Sequence, residues 1–134
     1  YEIHERLVGS EMCIRDSFRL NEFTRSLTAE RFKIVNSIDA LSIRNLRYLC
    51  TKVLEPIRKE FGYPIHVNSG YRCEKLNKLV NGVRNSFHCS GRAADITAAD
   101  FSRLCDTVQR LVREGAIHPR ELIYHDTYIH IAYV

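Results

Sequence analysis

Ser86-Phe87-His88-Cys89-Ser90-Gly91-Arg92-Ala93-Ala94-Asp95, running on into Ile96-Thr97, is the stretch around which the rest of this chain is organised. A histidine and an aspartate stand seven positions apart, with a glycine and small residues between them. The stretch reads as a turn leading into a short strand, with His88 at the turn and Asp95 on the strand. Gly91 lets the backbone fold tightly between the two. A neutral imidazole and a carboxylate are both good zinc ligands, so side chains converging from this turn and strand can share one metal. A catalytic zinc takes three protein ligands and leaves a fourth position to water. The chain ends Tyr128-Ile129-His130-Ile131-Ala132-Tyr133-Val134, where His130 is the single basic residue of an apolar run. That run reads as a buried terminal strand.

Ser86, His88, Gly91, Ala93 and Asp95 match the pattern SxHxxGxAxD, and through it the chain resembles the zinc D-Ala-D-Ala peptidases. That group includes peptidoglycan carboxypeptidases, vancomycin-resistance dipeptidases, phage endolysin peptidases and, more distantly, the Hedgehog signalling domain. Ser69-Gly70-Tyr71-Arg72 resembles the family's SGYR segment, and Leu76-Asn77 with Asn81-Gly82-Val83 resembles the family's next segment. The similarity runs from about Phe18 to Val134. It implies a zinc ion held by His88, Asp95 and His130, the last falling where the family places its final ligand. Taken alone, His88 or His130 would more often be a packed or exposed residue. Their coincidence with the motif reverses that expectation.

The resemblance also implies substrate contacts. Arg72 follows a tight Ser-Gly turn, and a planar guanidinium can grip a terminal carboxylate with two hydrogen bonds. Ser86 resembles the family's substrate-contacting serine, although forming the turn is an equally good reason for a serine there. The general base departs from the pattern. The family usually has Glu or Asp three residues before the last histidine, and here that position is Thr127. Asp126, one residue earlier, is the expected base, since a slip or bulge in a hairpin can re-aim a side chain. Glu121 is the second candidate. A solvated turn aspartate is the ordinary alternative for Asp126. Cys73 and Cys89 flank Arg72 and His88 and read as ordinary thiols, and His66 and His118 as structural or exposed.

The chain has 134 residues, enough for one domain with a core of its own. Its 45% hydrophobic and 27% charged content is ordinary for a globular protein. No run is apolar enough to span a membrane. The net charge of +4 is mild and the basic residues are scattered, which argues against a nucleic-acid partner. Five cysteines without a CxxC pair argue against a zinc ribbon and against a disulfide scaffold. Residues 1–17 read as a non-native or artefactual segment, because residues 7–17 resemble translated sequencing-adapter read-through. Residues 18–134 then form the zinc peptidase domain. No signal peptide is visible, which says nothing about export if the natural start is missing.

Along that domain, residues 18–34 read as a helix with Asn21 as N-cap. Leu46, Leu49, Cys50, Val53, Leu54, Ile57 and Phe61 recur at helical spacing, with Ser42 as a cap, Gly62 as the stop and Pro56 expected to bend or break the helix near Val53. Residues 65–68 read as a strand and residues 73–80 as a short helix. Residues 93–97 read as a strand. A helix of roughly seventeen residues comes next. Its core face is Phe101, Leu104, Cys105, Val108, Leu111 and Val112. Residues 121–124 and 128–134 read as an antiparallel hairpin. The fold class is α+β, a small antiparallel sheet with helices packed around it, similar to the Hedgehog/D-Ala-D-Ala peptidase fold.

The function expected is a zinc-dependent peptidase, most simply a monomer, that hydrolyses peptidoglycan stem peptides beside a D-amino acid. Trimming of the terminal D-alanine and cutting within the stem both remain open. Such a protein acts on the cell wall, as a bacterial murein hydrolase or a phage lysis enzyme. The alternative is a zinc-stabilised binding module of the same fold that has lost catalysis, as the Hedgehog-like members illustrate.

Overall fold

The computed structural model describes residues 13–134, so residues 1–12 of the segment read as non-native lie outside it. Cys13–Arg15 (β1) pairs antiparallel with Phe18–Arg19 (β2), and Ile14 and Phe18 are both buried in the core. Two short helices come next, Leu20–Thr24 (α1) and Leu27–Arg31 (α2). The single helix expected over residues 18–34 is therefore split. The cause is Ser26, whose hydroxyl accepts from the Ala29 N–H at 3.1 Å and starts a new helix. Asn21 lies inside α1 rather than capping it. The carboxylate of Glu22 instead takes the Arg19 N–H at 2.6 Å.

The long amphipathic helix is present, and its proline is accommodated rather than breaking it. Ala40–Leu49 (α3) passes through a π turn, Cys50–Leu54, into Glu55–Phe61 (α4). Pro56 has no N–H and its ring crowds the turn before it. The wider π turn occupies just that stretch. The N-cap is Asp39, which accepts from the Ser42 N–H at 3.2 Å, and Ser42 itself is buried within the helix. Gly62 ends the helix in the left-handed region at φ 83°.

The sheet has four antiparallel strands in the order β3-β4-β6-β5: His66–Ser69 (β3), Ala93–Thr97 (β4), Glu121–Tyr124 (β5) and Ile129–Ala132 (β6). Alternation along the strands separates two faces. Val67, Ala94, Ile96, Ile129 and Ile131 enter the core with Leu46, Leu49, Val53, Leu54 and Ile57 of the long helix. Phe101–Arg113 (α6), started by the Asp100 carboxylate on the Arg103 N–H, adds Leu104, Val108 and Leu111. Val112, expected on that face, is exposed, and Thr107 is buried instead, its hydroxyl donating to the Arg103 carbonyl at 2.9 Å. Glu74–Leu79 (α5) and a 3₁₀ turn, Phe87–Ser90, complete the connection from β3 to β4. No helix among the described residues is long and apolar enough to cross a membrane.

Candidate metal centre and its cleft

The second face of the sheet carries the chemistry. The β4–β6 register places Asp95 directly opposite His130, and the β5–β6 register places Ile123 opposite His130 on the other side. His88 arrives from outside the sheet on the 3₁₀ turn. Ser86 caps that turn by accepting from the His88 N–H at 3.2 Å, and Gly91 closes it at φ 73°. Asp95 Oδ1 then lies 3.3 Å from His88 Nε2 and 3.0 Å from His130 Nδ1. The three donor atoms fall within 4.8 Å of one another, a grouping able to hold a metal ion.

Each imidazole is also held from behind. His88 Nδ1 is 2.6 Å from the Gly70 carbonyl, which can only accept, so Nδ1 carries a proton and Nε2 is the nitrogen turned to Asp95. His130 Nε2 is 2.8 Å from Glu121 Oε1. Gly70 makes the first contact possible by packing against Phe23. A Cβ there would stand 2.6 Å from the Phe23 Cα. This arrangement sets the electrostatics. Burial raises Asp95, but the hydrogen bonds from His130 and His88 outweigh it and hold the carboxyl well below the usual range. The hydrogen bond to Asp95 lifts the His130 imidazole above its ordinary value, against burial and with help from Glu121.

The cluster opens into a cleft of about 570 Å³. Arg72, Ser86, Glu121, Ile123, His125 and Tyr128 are part of its wall. Arg72 Nη2 donates to Ser86 Oγ at 3.5 Å, and Arg72 Nε is buried with no hydrogen-bond partner among the described residues. A roomier groove of about 730 Å³ runs along Phe61, Tyr63, Pro64 and Ile65, but no converging set of metal donors lines it. Of the sequence candidates, His88, Asp95, His130, Arg72, Ser86 and Glu121 are thus brought together. Asp126 is exposed in the β5–β6 turn and is not among the residues that line the cleft. The His125 ring, which does line it, stacks on Tyr128 at 4.3 Å.

A family model described as Peptidase M15 matches residues 16–132. The chain belongs to the Peptidase M15 family. As an M15 peptidase it is a hydrolase of peptide bonds, and its α+β arrangement, with helices around a small antiparallel sheet, agrees with that fold. No curated protein matches the chain.

Two residues of this M15 peptidase that hold the site in place were not identified from sequence. Asn36 spans three segments. Its amide donates to the carbonyls of Thr24 and Tyr71, each at 2.9 Å, and its oxygen accepts from the Cys73 N–H at 2.7 Å. It therefore pins the chain on both sides of Arg72. Asn45, from α3, donates to the Ser90 carbonyl at 2.9 Å and fastens the turn that carries His88. A lone asparagine in a loop or on a helix gives no local signal for contacts made 35 or 45 positions away. Cys73 and Cys89 carry free thiols, and burial pushes the Cys89 thiol up.

Proposed function

We propose that this chain is a zinc-dependent peptidase that hydrolyses peptidoglycan stem peptides beside a D-amino acid. The observation that carries the reading is the His88–Asp95–His130 donor set in a cleft that the partly buried Arg72 also lines. The donors suit zinc: two imidazole nitrogens and one carboxylate oxygen, each imidazole already fixed through its other nitrogen. Zinc in such a site lowers the pKa of a bound water to about 7 and polarises the scissile carbonyl.

The remaining work belongs to the chain's own groups. Arg72 has an unpaired Nε and a loosely held Nη2, so it can take a substrate carboxylate with two hydrogen bonds. Ser86 braces that guanidinium and borders the same wall. Asp126, the base expected from the sequence, is exposed at the tip of the hairpin and off the cleft wall, so it would serve as the base only if substrate binding draws the turn inward to within hydrogen-bond reach of the attacking water. The substrate lies outside the cytoplasmic membrane, so the protein works in the cell wall, after export or on release during phage lysis.

The test is hydrolysis of purified peptidoglycan and of a stem peptide ending in D-Ala-D-Ala, with and without a chelator, with products identified by mass. Chelator-sensitive release of D-alanine is expected of a carboxypeptidase, and internal cuts mean an endopeptidase. Arg72→Ala is expected to lower kcat/KM on the free-acid peptide about 10²-fold, the loss of a charge-assisted bidentate contact, and to change cleavage of the C-terminal amide little. Equal losses on both substrates would remove the carboxylate-binding role. Asp126→Ala is expected to lower kcat at least about 10²-fold with zinc content unchanged. Parent-like kcat would exclude Asp126 as the base.

A second reading is a zinc-stabilised binding module. It is favoured by one observation: the turn residues His125, Asp126 and Thr127 are all exposed, and Asp126 stands off the cleft wall. One equivalent of zinc with no cleavage of either substrate would decide for it.

A further inference from the structure

We propose that Glu121 is a positioning residue for the metal. Its carboxylate holds the His130 ring in the orientation and tautomer that turn Nδ1 toward Asp95 and His88. The inference rests on the zinc reading of that cluster and goes beyond it, because it assigns a role to a residue outside the donor set.

The two nitrogens of His130 face different partners. Nδ1 is 3.0 Å from Asp95 Oδ1, inside the donor cluster, and Nε2 is 2.8 Å from Glu121 Oε1. An ionised carboxylate only accepts, so Nε2 must carry a hydrogen to bond it. Without a metal Asp95 also faces Nδ1, so either nitrogen can carry a hydrogen; with a cation in the cluster, the single hydrogen of the neutral ring held on Nε2 by Glu121 would leave the Nδ1 lone pair for the metal. Without Glu121 the ring could flip or exchange tautomers and offer the wrong nitrogen.

His88 has the same arrangement with its nitrogens exchanged. Its Nδ1 is held by the Gly70 carbonyl and its Nε2 faces Asp95. Both imidazoles are therefore anchored on the side away from the cluster, one by a backbone oxygen and one by Glu121. The sheet dictates where the second anchor comes from. Ile123 is paired with His130 across β5 and β6, so Glu121, two residues earlier, lies on the same face as its diagonal neighbour. That diagonal is within reach of a long side chain.

The same geometry argues against Glu121 as the general base. Its oxygen bonds Nε2 while Asp95 meets Nδ1, so Glu121, although it also lines the cleft, reaches the donor cluster through the ring. A base must be free to come within hydrogen-bond reach of the water it deprotonates. Glu121 is already committed, at 2.8 Å, to the ring itself.

The test is a zinc competition titration against a colorimetric chelator, on the parent, Glu121→Gln, Glu121→Ala and His88→Ala. Loss of an outer carboxylate that orients a histidine ligand typically weakens metal binding about 10–100-fold, which is the expectation for Glu121→Ala. Glu121→Gln keeps an oxygen that can accept the hydrogen and should fall between Ala and parent. In zinc-loaded parent, ¹⁵N shifts of the His130 ring should report a metal-bound Nδ1 and a protonated Nε2, and in Glu121→Ala that signature should broaden or change. A purely structural role for Glu121 would leave it untouched. Parent-like zinc affinity in Glu121→Ala, with affinity lost in His88→Ala, would overturn the inference and leave the zinc reading standing. Lost activity at parent-like zinc affinity would overturn it too, in favour of a direct catalytic role. No zinc binding by the parent would remove both.

Discussion

Asp95→Ala is expected to lose both stoichiometric zinc and measurable hydrolysis while keeping the fold. Among the described residues Asp95 is the group that touches both histidines, at 3.3 Å and 3.0 Å, and it is the anion of the donor set. Removing it leaves two imidazoles, with ring centroids 5.2 Å apart, to hold a divalent cation. A catalytic metal contributes several kcal/mol of transition-state stabilisation, so its loss should lower kcat/KM by about 10³-fold or more. The variant should still fold, because Asp95 points away from the core that Ala94 and Ile96 enter. Metal-free stability carries a second signature. The folded Asp95 carboxyl titrates below its ordinary value, so its interactions stabilise the fold above roughly pH 4 and are lost as the pH falls through the folded value. The metal-free variant should therefore melt below the parent at pH 7, with the gap narrowing on acidification. Zinc content by mass spectrometry and melting curves at two pH values check both statements. Full zinc occupancy in Asp95→Ala would remove Asp95 from the ligand set.

Gly91→Ala should be among the most destabilising single substitutions in the chain. Gly91 closes the turn between His88 and Asp95 at φ 73°, where an L-residue costs about 1–2 kcal/mol. A Cβ there would also fall on the Ser42 carbonyl oxygen and 2.9 Å from its carbon. Ser42 is buried backbone of α3, so neither partner can yield by a side-chain rotation, and overpacking of this kind adds about 1–3 kcal/mol. The melting temperature should fall by roughly 3–6 °C per kcal/mol for a domain of this size. Zinc affinity should fall with it, because the displaced turn carries His88. Gly115→Ala is the matched control. It has nearly the same dihedral, φ 77°, but the nearest atom to its Cβ is 4.0 Å away, so only the backbone strain remains. Equal melting temperatures for the two variants would mean that the contact with Ser42 is not tight.

What could be read in the sequence was short-range or strongly periodic. The ten-residue motif sets its own turn and strand, so His88 and Asp95 were legible at once. The long helix was legible from seven apolar positions, and the terminal hairpin from two runs flanking a turn. Misreadings occurred where a local choice competed with a pattern. Ser26 starts a helix inside what read as one, and a π turn absorbs Pro56 without a break. Val112 sits at a helical core spacing but falls past the edge of the sheet-facing stripe, with 37% of its surface exposed. The supports of the site lay beyond sequence reading altogether. Glu121 meets His130 only through strand register, and Asn36 and Asn45 act across long separations that leave no periodic trace.

The pairing of Asp95 with His130 across the two central strands has a bearing on how the protein comes into being. These residues are 35 positions apart, and a slip of one residue between β4 and β6 would send one of them into the core. The third donor therefore joins His88 and Asp95 only when β6 has docked on β4 in the right frame. On the zinc reading, an ion that prefers the complete three-donor set would deepen the native minimum by mass action. Metal uptake would then favour correctly paired chains over mispaired ones.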